Sequence, residues 1–495
     1  MTRNSSIAAA ILICAFCLQA LFALPQLSAT ADEPVHLAAG YSYWQTRDFR
    51  LNPEHPPLAK LLAALPLLLL HPSFDTSQQD WTTASEYAFG FRFLYTNDAD
   101  QLLFWGRVPM ILLAAMGAAV TFLWANDLFG RAAGLVAVSL YAFSPNLLGH
   151  GMLVTTDVPL AAFTVLTLYL FWKGRDGWAG LALGCAMATK FSGAFLPVLL
   201  VVLCFAHDYR SALKRIGILA LGALIVLEAA YLFTATPIQY FRNAALVNSN
   251  HVRDYPVYLF GRVKTGGWWY YFPAAMLVKA TVPMLLMIVL AASHTVAGWA
   301  NRWGEVILLT SIIIYTVLVS VGADQIGVRY LLPIFPLMFV WTSRLVPYFS
   351  RRRAGVFVIV TLMVWEAWSS FKAFPNYIPY FNEVAEIAGY NGSLLDDSNI
   401  DWGQALKQTA VYVRQHKLTD VTLYTFSPFD NPEYYGLPPN LSREEALERL
   451  AGRQPPPGVY ILSAHRVVRL RATNPAWKTY KLLDRIGDSM WVYAF

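Results

Sequence analysis

The chain has 495 residues, of which 56% are hydrophobic and 14% are charged. Because ordinary soluble domains carry about 25% charged residues, this composition excludes a soluble globular protein and predicts several membrane-spanning segments. The net charge of +6 comes from loops between the apolar segments, so binding of nucleic acid is not expected. All four cysteines lie inside apolar runs, and no disulfide framework is predicted.

Eleven apolar stretches approach the roughly 20 residues that a helix needs to cross a bilayer. They span residues 7–29, 101–126, 132–150, 157–173, 177–191, 192–207, 215–235, 274–297, 304–322, 328–347 and 355–372. The first is long for the apolar core of a secretory signal, so we expect it to be retained as a helix. We therefore predict a polytopic α-helical membrane protein with about eleven transmembrane helices.

Basic residues in the short loops predict the orientation. On one side of the predicted membrane lie Arg3, Arg131, Lys173, Arg175, Arg210, Lys214, Arg215, Arg302, Arg351, Arg352 and Arg353. Since cytoplasmic loops collect Lys and Arg, an odd number of spans puts the N-terminus in the cytoplasm and the C-terminus outside it. Three segments are then extracytoplasmic: a first outer loop over 30–100, a second outer loop over 236–273, and residues 373–495.

The first outer loop opens with adjacent carboxylates, Asp32 and Glu33, where the first helix leaves the membrane. Such groups can be ionised, can be approached by a lipid-bound substrate and can act as a base. A polar helix end that merely marks the interface is the alternative. In the same loop, the apolar segment 56–70 is shorter than a span and begins with two prolines, so we expect a helix along the outer membrane surface.

The chain after residue 373 is less apolar and predicts a small extracytoplasmic α/β domain. The predicted elements are a helix over 402–416, strands over 421–426, 458–463 and 489–495, and a solvated helix over 442–453. We therefore divide the chain into a membrane domain, 1–372, and a C-terminal domain, 373–495. Asp396, Asp397 and Asp401 lack the spacing of a calcium-binding loop, so their pattern favours turn formation and helix capping.

Several motifs follow one another in a characteristic order. They are Asp32-Glu33, His55-Pro56-Pro57-Leu58, Trp105-Gly106-Arg107, Thr155-Thr156-Asp157-Val158-Pro159, Lys190-Phe191-Ser192-Gly193 and Arg329-Tyr330-Leu331-Leu332-Pro333. In this order the chain resembles the GT-C glycosyltransferases, and among them the protein O-mannosyltransferases and aminoarabinose transferases. The resemblance covers roughly residues 7–347. It implies a GT-C transmembrane domain that transfers a sugar from a polyprenyl-phosphate-linked donor.

The resemblance also implies roles for individual side chains. Asp32 is expected to be the general base that takes a proton from the acceptor, with Glu33 as the second catalytic acid. The donor phosphate is expected to bind Arg107, His55, Lys60, Lys190 and Arg329, and an acceptor-binding or second-acid role is expected for Asp157 and His36. Snorkelling toward the interface is the alternative for the three cations Arg107, Lys190 and Arg329, and helix capping is the alternative for Asp157.

No cofactor is expected to be required. Asp32, Glu33 and His36 are close enough in the chain to hold a divalent metal, and some GT-C enzymes need one, but we expect no metal here. The expected partners are the polyprenyl-phosphate sugar, a lipid, glycan or protein acceptor, and membrane lipid. The expected location is the bacterial cytoplasmic membrane.

Two further segments carry recognisable patterns. The second outer loop is aromatic and basic, which predicts either a lid over the donor or an interfacial aromatic belt. In the C-terminal domain, Tyr380-Phe381-Asn382-Glu383, Asn391-Gly392 and the run Asp397–Gln404 resemble a module found on many bacterial phospholipid-carrier-dependent glycosyltransferases.

Two other classes of function remain open. A transporter or lipid flippase would show related halves with Gly- or Pro-broken helices at matching depths. Here the polar groups concentrate at one face of the membrane, which favours the enzyme. The other alternative is a non-catalytic membrane scaffold whose C-terminal domain recruits a partner.

Overall fold

The computed structural model describes residues 3–234, 237–250, 254–298, 300–387, 394–452 and 454–495, and most of them are helical. The helices before residue 374 are α1 (Arg3–Ala23), α2 (Glu33–Thr46), α3 (Leu58–Ala64), α4 (Leu67–Leu70), α5 (Gln79–Thr82), α6 (Glu86–Tyr95), α7 (Ala99–Phe129), α8 (Arg131–Ala142), α9 (Pro145–Gly151), α10 (Asp157–Trp172), α11 (Asp176–Thr189), α12 (Phe195–His207), α13 (Tyr209–Ala230), α14 (Pro237–Asn250), α15 (Tyr271–Lys279), α16 (Val282–Ala297), α17 (Arg302–Gly322), α18 (Phe335–Thr342), α19 (Val346–Phe349) and α20 (Arg353–Ala373).

Five helical segments of the described chain are long and apolar enough to cross a membrane: Ser5–Gln26, α7, α17, Val328–Phe349 and α20. The number rises to seven if the bent pair formed by α8 and α9 and the pair formed by α15 and α16 each count as one span. The four other predicted spans coincide with α10, α11, α12 and α13. The polytopic helical architecture is confirmed, and crossing by these four helices stays a prediction.

The first outer loop folds into its own layer of short helices, α2 to α6, on the end of α7. Its apolar side chains, among them Leu37, Leu61 and Phe93, form a separate buried cluster. At Gly40 an added Cβ would lie 2.1 Å from the carbonyl oxygen of Lys60, so only glycine lets α2 and α3 pack this closely. The helix predicted over 56–70 is present as two short helices, α3 and α4, and its position along the membrane surface stays a prediction.

The second outer loop contains an antiparallel hairpin of β1 (Pro256–Leu259) and β2 (Arg262–Thr265). Tyr258 of β1 is buried in one cluster with Ile400 and Trp491 of the C-terminal domain. The backbone N–H of Phe260 donates to the carbonyl of Leu394 at 2.8 Å. The hairpin is therefore packed against the C-terminal domain. Two basic residues of this loop, His251 and Arg253, lie outside the described chain.

The C-terminal domain combines a four-stranded sheet with short helices, as predicted. Its elements are α21 (Glu383–Ile387), α22 (Leu406–Gln415), β3 (Val421–Tyr424), α23 (Arg443–Leu450), β4 (Val459–Ser463), α24 (Ala464–Thr473), β5 (Asp484–Ile486) and β6 (Met490–Ala494). The strand order is β3-β4-β6-β5, with β3 parallel to β4 and the other neighbours antiparallel. The predicted solvated helix is α23, which begins with a capping box at Ser442 and Glu445.

The helix expected from Trp402 begins only at Leu406. Gly403 has a φ of +98°, a conformation that favours glycine and interrupts a helix. The carbonyl of Trp402 accepts a hydrogen bond from the N–H of Ala31 at 2.9 Å, so this stretch is held by the first outer loop. The motif Asn391-Gly392 lies outside the described residues.

Candidate functional site

Glu33 lies in the first turn of α2, and its carboxylate is buried against Arg107 of α7. Arg107 Nε donates to Glu33 Oε1 at 2.7 Å, and Nη2 donates to Oε2 at 2.6 Å. The backbone N–H groups of Thr30 and Val154 donate to the same carboxylate. Burial alone would raise the pKa of Glu33, but Arg107 and these hydrogen bonds outweigh it and hold the pKa below its usual value.

The structure shows this pair in a different setting from the one expected. The remaining N–H groups of Arg107 are directed at backbone carbonyls, Nη2 to Ser28 at 2.7 Å and Nη1 to Leu27 at 3.4 Å. All three guanidinium nitrogens are thus engaged and the side chain is 1% exposed, and binding of a donor phosphate by Arg107 stays a prediction. Glu33 is fully enclosed as well. The pair joins the start of α2 to α7 and positions the neighbouring Asp32.

Asp32 points the other way, toward Arg329 at the start of the segment Val328–Ile334. Its side chain is 23% exposed, and Oδ2 lies 3.3 Å from Arg329 Nη1. Arg329 Nη1 also lies 3.6 Å from Oδ2 of Asp157, the first residue of α10. Asp157 Oδ1 accepts from Lys190 Nζ at 2.5 Å. These four residues, Asp32, Arg329, Asp157 and Lys190, are called the ion-pair row below.

The row brings together side chains from four separate parts of the chain. Lys190 is only 12% exposed and Arg329 only 10%, so both are paired in the interior and do not snorkel toward the interface. Asp157 is the first residue of α10 and not its N-cap. Its Oδ1 accepts from Lys190, and its Oδ2 has no hydrogen-bond partner in the described chain and lies 3.6 Å from Arg329. Snorkelling therefore does not describe Lys190 and Arg329, and helix capping does not describe Asp157.

Arg329 is held from a second side by the C-terminal domain. Its guanidinium carbon lies 4.1 Å from the ring centre of Trp402 and 5.4 Å from that of Tyr330, which is within the range of cation–π attraction. Its Nε is buried and has no hydrogen-bond partner among the described residues. A buried guanidinium N–H without an acceptor is costly, so this position is suited to an anionic ligand.

The run Asp397–Gln404 packs against the segments that carry Asp32 and Arg329, and it is called the roof of the site below. Backbone hydrogen bonds join Ser28 to Gln404 at 3.0 Å and Ala31 to Trp402 at 2.9 Å, and the hydroxyl of Ser398 donates to the carbonyl of Ile326 at 2.8 Å. The motif resemblance singled out this run, but only the structure places it next to Asp32 and Arg329. Residue patterns had predicted turn formation and helix capping here.

Lys279 is a further residue that the sequence prediction missed. Its Nζ donates to the carbonyls of Ile378 and Asn399 at 2.7 Å each, although the side chain lies on α15 and is buried. Asn399 in turn accepts from the N–H of Val328, next to Arg329. A lysine near the end of an apolar helix was the available signal, since such a charge needs a partner.

Two histidines of the first outer loop lie beside each other. His36 Nδ1 is 2.8 Å from the carbonyl of Val154, and the rings of His36 and His55 meet edge to face at 5.2 Å. Burial lowers the pKa of both rings below the usual value, so both are neutral at pH 7. The Nδ1 of His55 is buried with no partner among the described residues.

Lys60 is buried inside the first outer loop, where it joins neighbouring turns. Its Nζ donates to Tyr43 Oη, to the carbonyls of Asn52 and His55, and to Asn52 Oδ1, at 2.7 to 3.1 Å. The side chain is 1% exposed, and these four acceptors engage its N–H groups. Lys60 therefore fixes the turn that carries His55, and its expected contact with the donor stays a prediction.

No group of three His, Cys, Asp or Glu side chains converges on a metal-binding point within the described parts of the chain. The acids and imidazole proposed for such a site diverge, because Glu33 faces Arg107, Asp32 faces Arg329 and His36 faces Val154. The need for a metal stays untested.

An apolar groove of about 510 Å³ is lined by residues that follow Lys190 in the chain, although no residue of the row itself lines it. Phe191 and Ser192, which follow Lys190, form one end, and side chains of α12 and α17 form the walls. Val198, Val202 and Leu318 of these walls are exposed, so the groove opens sideways to the surface that lipid would cover. It can accommodate a hydrocarbon chain whose polar end lies at Lys190.

Residues 99–234 match the sequence model of a family described as dolichyl-phosphate-mannose-protein mannosyltransferase. The fold is similar to the crystal structure of ArnT from Cupriavidus metallidurans in the apo state, with a TM-score of 0.51 and 14% identity over 98% of this chain and 97% of that chain. The same protein bound to undecaprenyl phosphate gives 0.50 and 14%, covering 100% and 98%. None of the curated proteins matches the chain significantly. The chain is thus similar to that family over residues 99–234, and it shares the overall fold of ArnT.

Proposed function

We propose that the protein transfers a sugar from a polyprenyl-phosphate-linked donor to a hydroxyl or amine of a lipid, glycan or protein acceptor. The observation that carries this proposal is the ion-pair row, in which Lys190 directly precedes residues that line an apolar groove and which ends in the partly exposed carboxylate of Asp32. ArnT, a protein of the same fold, is known bound to undecaprenyl phosphate, which supports a lipid-phosphate donor.

The donor is expected to enter sideways from the membrane. Its isoprenoid chain fills the groove between α12 and α17, and its phosphate reaches Lys190 and Arg329 at the polar end. Arg329 Nε supplies a donor that is already desolvated and unpaired among the described residues, and guanidinium groups bind phosphate through parallel hydrogen bonds. Asp157 keeps both cations in place through its two oxygens.

Asp32 is the base in this proposal. Its contact with Arg329 is long, at 3.3 Å, so a phosphate can compete for the guanidinium and release the carboxylate. The acceptor oxygen or nitrogen then bonds to the anomeric carbon while its proton passes to Asp32. The bond between that carbon and the phosphate oxygen breaks, and the electron pair leaves with the polyprenyl phosphate. The configuration at the anomeric carbon is inverted. No nucleophilic side chain is needed.

The site is proposed to face the outside of a bacterial cytoplasmic membrane, with the N-terminus in the cytoplasm. The support is the distribution of Lys and Arg among the short loops. The ion-pair row and the C-terminal domain then lie on the same, outer side.

The test compares Asp32→Asn with wild type in release of polyprenyl phosphate from a panel of lipid-linked sugars. Removing a general base is expected to lower turnover by about 10²- to 10⁴-fold while donor binding persists. The matched control is Glu54→Gln, an exposed carboxylate in the same loop, which should keep wild-type turnover. Undiminished turnover in Asp32→Asn contradicts the base assignment. Movement of lipid across the bilayer without any covalent change supports the transporter instead.

A further inference from the structure

A polar cavity of about 440 Å³ lies between the β1–β2 hairpin and the C-terminal domain. Three cationic side chains line it, Arg471 of α24, Lys478 and Arg485 of β5, with Tyr258 of the hairpin opposite. No acidic residue is among its lining residues in the described chain. The cavity belongs neither to the ion-pair row nor to the apolar groove.

The two arginines are held in place by one indole ring. The guanidinium carbon of Arg471 lies 4.8 Å from the ring centre of Trp491, and that of Arg485 lies 4.9 Å from it. Trp491 is 1% exposed, so the platform is rigid. Arg471 Nη2 also donates to Tyr493 Oη at 3.0 Å. The positions of both planar cations are thereby set before any ligand arrives.

Three cations line this one cavity, and Arg485 also borders a neighbouring pocket that contains Glu383, Glu386 and Asp488. Within the described residues, neither arginine nor Lys478 forms a salt bridge, although Arg469 of the same helix α24 pairs with Asp396 at 2.6 Å. The Nε of Arg471 is moreover buried and without a hydrogen-bond partner in the described part of the chain. Cations that line one cavity repel one another, and a buried unpaired N–H adds a further cost. A bound anion removes both costs.

We propose that this cavity binds an oxyanion of the phosphate class. Arginine presents its N–H groups in a planar fork that matches phosphate oxygens, and the cavity has room for a group larger than phosphate itself. Two sources share this chemistry, a soluble phosphorylated group and the headgroup of an anionic phospholipid. The inference does not depend on the proposed transfer reaction. Because Tyr258 packs with Ile400 of the run Asp397–Gln404, an occupant would lie close to the roof of the active site.

The test measures binding of inorganic phosphate and pyrophosphate to the purified full-length chain in uncharged detergent by calorimetry. A second arm uses phosphatidylcholine vesicles with and without phosphatidylglycerol. The variants are Arg471→Gln, Arg485→Gln and the pair together. Each single change should weaken binding by about tenfold, the size of one charge-assisted hydrogen bond, and added salt should weaken wild-type binding. Arg414→Gln, an exposed arginine of α22, should bind as wild type does.

Thermal unfolding with and without added phosphate separates this role from a structural one. If the arginines serve an anion, phosphate should raise the unfolding temperature of wild type but not that of the double variant, whatever the loss of the contacts to Trp491 and Tyr493 does to the variant without anion. Binding of the soluble anions or of phosphatidylglycerol alone, with this dependence on the arginines, supports the proposal and identifies the source. Equal binding by wild type and double variant, or no binding in either arm, overturns it. Should the double variant fail to fold, the partly exposed Arg485→Gln alone decides.

Discussion

Arg107 and Glu33 form a two-pronged ion pair in which neither side chain is more than 1% exposed. The two residues are 74 positions apart in the chain, so the pair ties the start of the first outer loop to α7. Because adjacent residues here point in opposite directions, the inward turn of Glu33 leaves Asp32 facing Arg329. The buried pair thus sets the orientation of the proposed base without touching a substrate.

Breaking this pair should destabilise the protein strongly. Arg107→Met leaves the carboxylate of Glu33 buried without its cation, and the loss of one partner of a buried pair costs about 3–5 kcal/mol. The double variant Arg107→Met with Glu33→Gln removes the stranded charge and should regain part of the loss. The midpoint of thermal unfolding in detergent, measured for the three proteins, checks this order.

The exposed pair of Arg50 and Asp48 in the same loop provides the control. Its side chains are 43% and 31% exposed, and exposed pairs contribute about 1 kcal/mol or less. Arg50→Met should therefore leave the unfolding midpoint nearly unchanged. A loss in Arg50→Met as large as in Arg107→Met would show that burial is not what gives the inner pair its weight.

Trp402 should act on donor binding through Arg329. Trp402→Leu removes the ring 4.1 Å from the guanidinium, and a desolvated cation–π contact contributes up to about 2 kcal/mol. We expect kcat/KM for the donor to fall about tenfold, mainly through a higher KM, and Trp402→Phe to restore part of it. Trp269→Leu, at a tryptophan that is 79% exposed, should change neither constant. A loss confined to kcat, or no recovery with phenylalanine, would contradict a positioning role.

The roof of the site should become less stable as the pH rises. Burial raises the pKa of Asp401 from 3.8 to about 6, so the fold favours its protonated form. The resulting stabilisation is complete below about pH 4 and is lost as the pH rises through about 6, a change of up to about 3 kcal/mol. Hydrogen exchange of the C-terminal domain between pH 4 and pH 7 should show this trend in wild type.

Asp401→Asn should reduce the slope of that trend, because an amide does not titrate while it can still accept from the N–H of Gly403. Part of the slope should remain, since burial also raises the pKa of Asp396, Asp397 and Asp430. The exposed Asp420→Asn is the matched control and should follow wild type. An unchanged slope in Asp401→Asn would assign the pH dependence to other groups.

The membrane architecture could be predicted because its signals are local. A run of apolar residues buries its backbone in lipid only as a helix, so all eleven predicted stretches coincide with helices or with broken helical pairs. The α/β character of the C-terminal domain was also predictable, because apolar and polar residues alternate along its strands and this pattern is local in the sequence. The β1–β2 hairpin and α24 were not predicted, since the hairpin is stabilised by packing on a distant domain.

The candidate site was predictable as a set of residues but not as a set of contacts. Motif order brought Asp32, Asp157, Lys190 and Arg329 into one hypothesis, and the structure does join them. The same motif order grouped Arg107 and Lys60 with these residues as cations for the donor, whereas both side chains are fully engaged inside the protein. Residue type indicates a charge, but only the surroundings decide whether that charge is free.

Amino-acid composition and the spacing of apolar runs alone determined that this chain crosses a membrane repeatedly and carries a small α/β domain, because those properties depend on neighbouring residues. Which carboxylate of the pair Asp32 and Glu33 stays accessible was decided by tertiary structure. Asp32 meets Arg329 across 297 positions of chain, and Ser28 meets Gly403 across 375. Such contacts depend on how whole helices and domains pack, which no local pattern encodes.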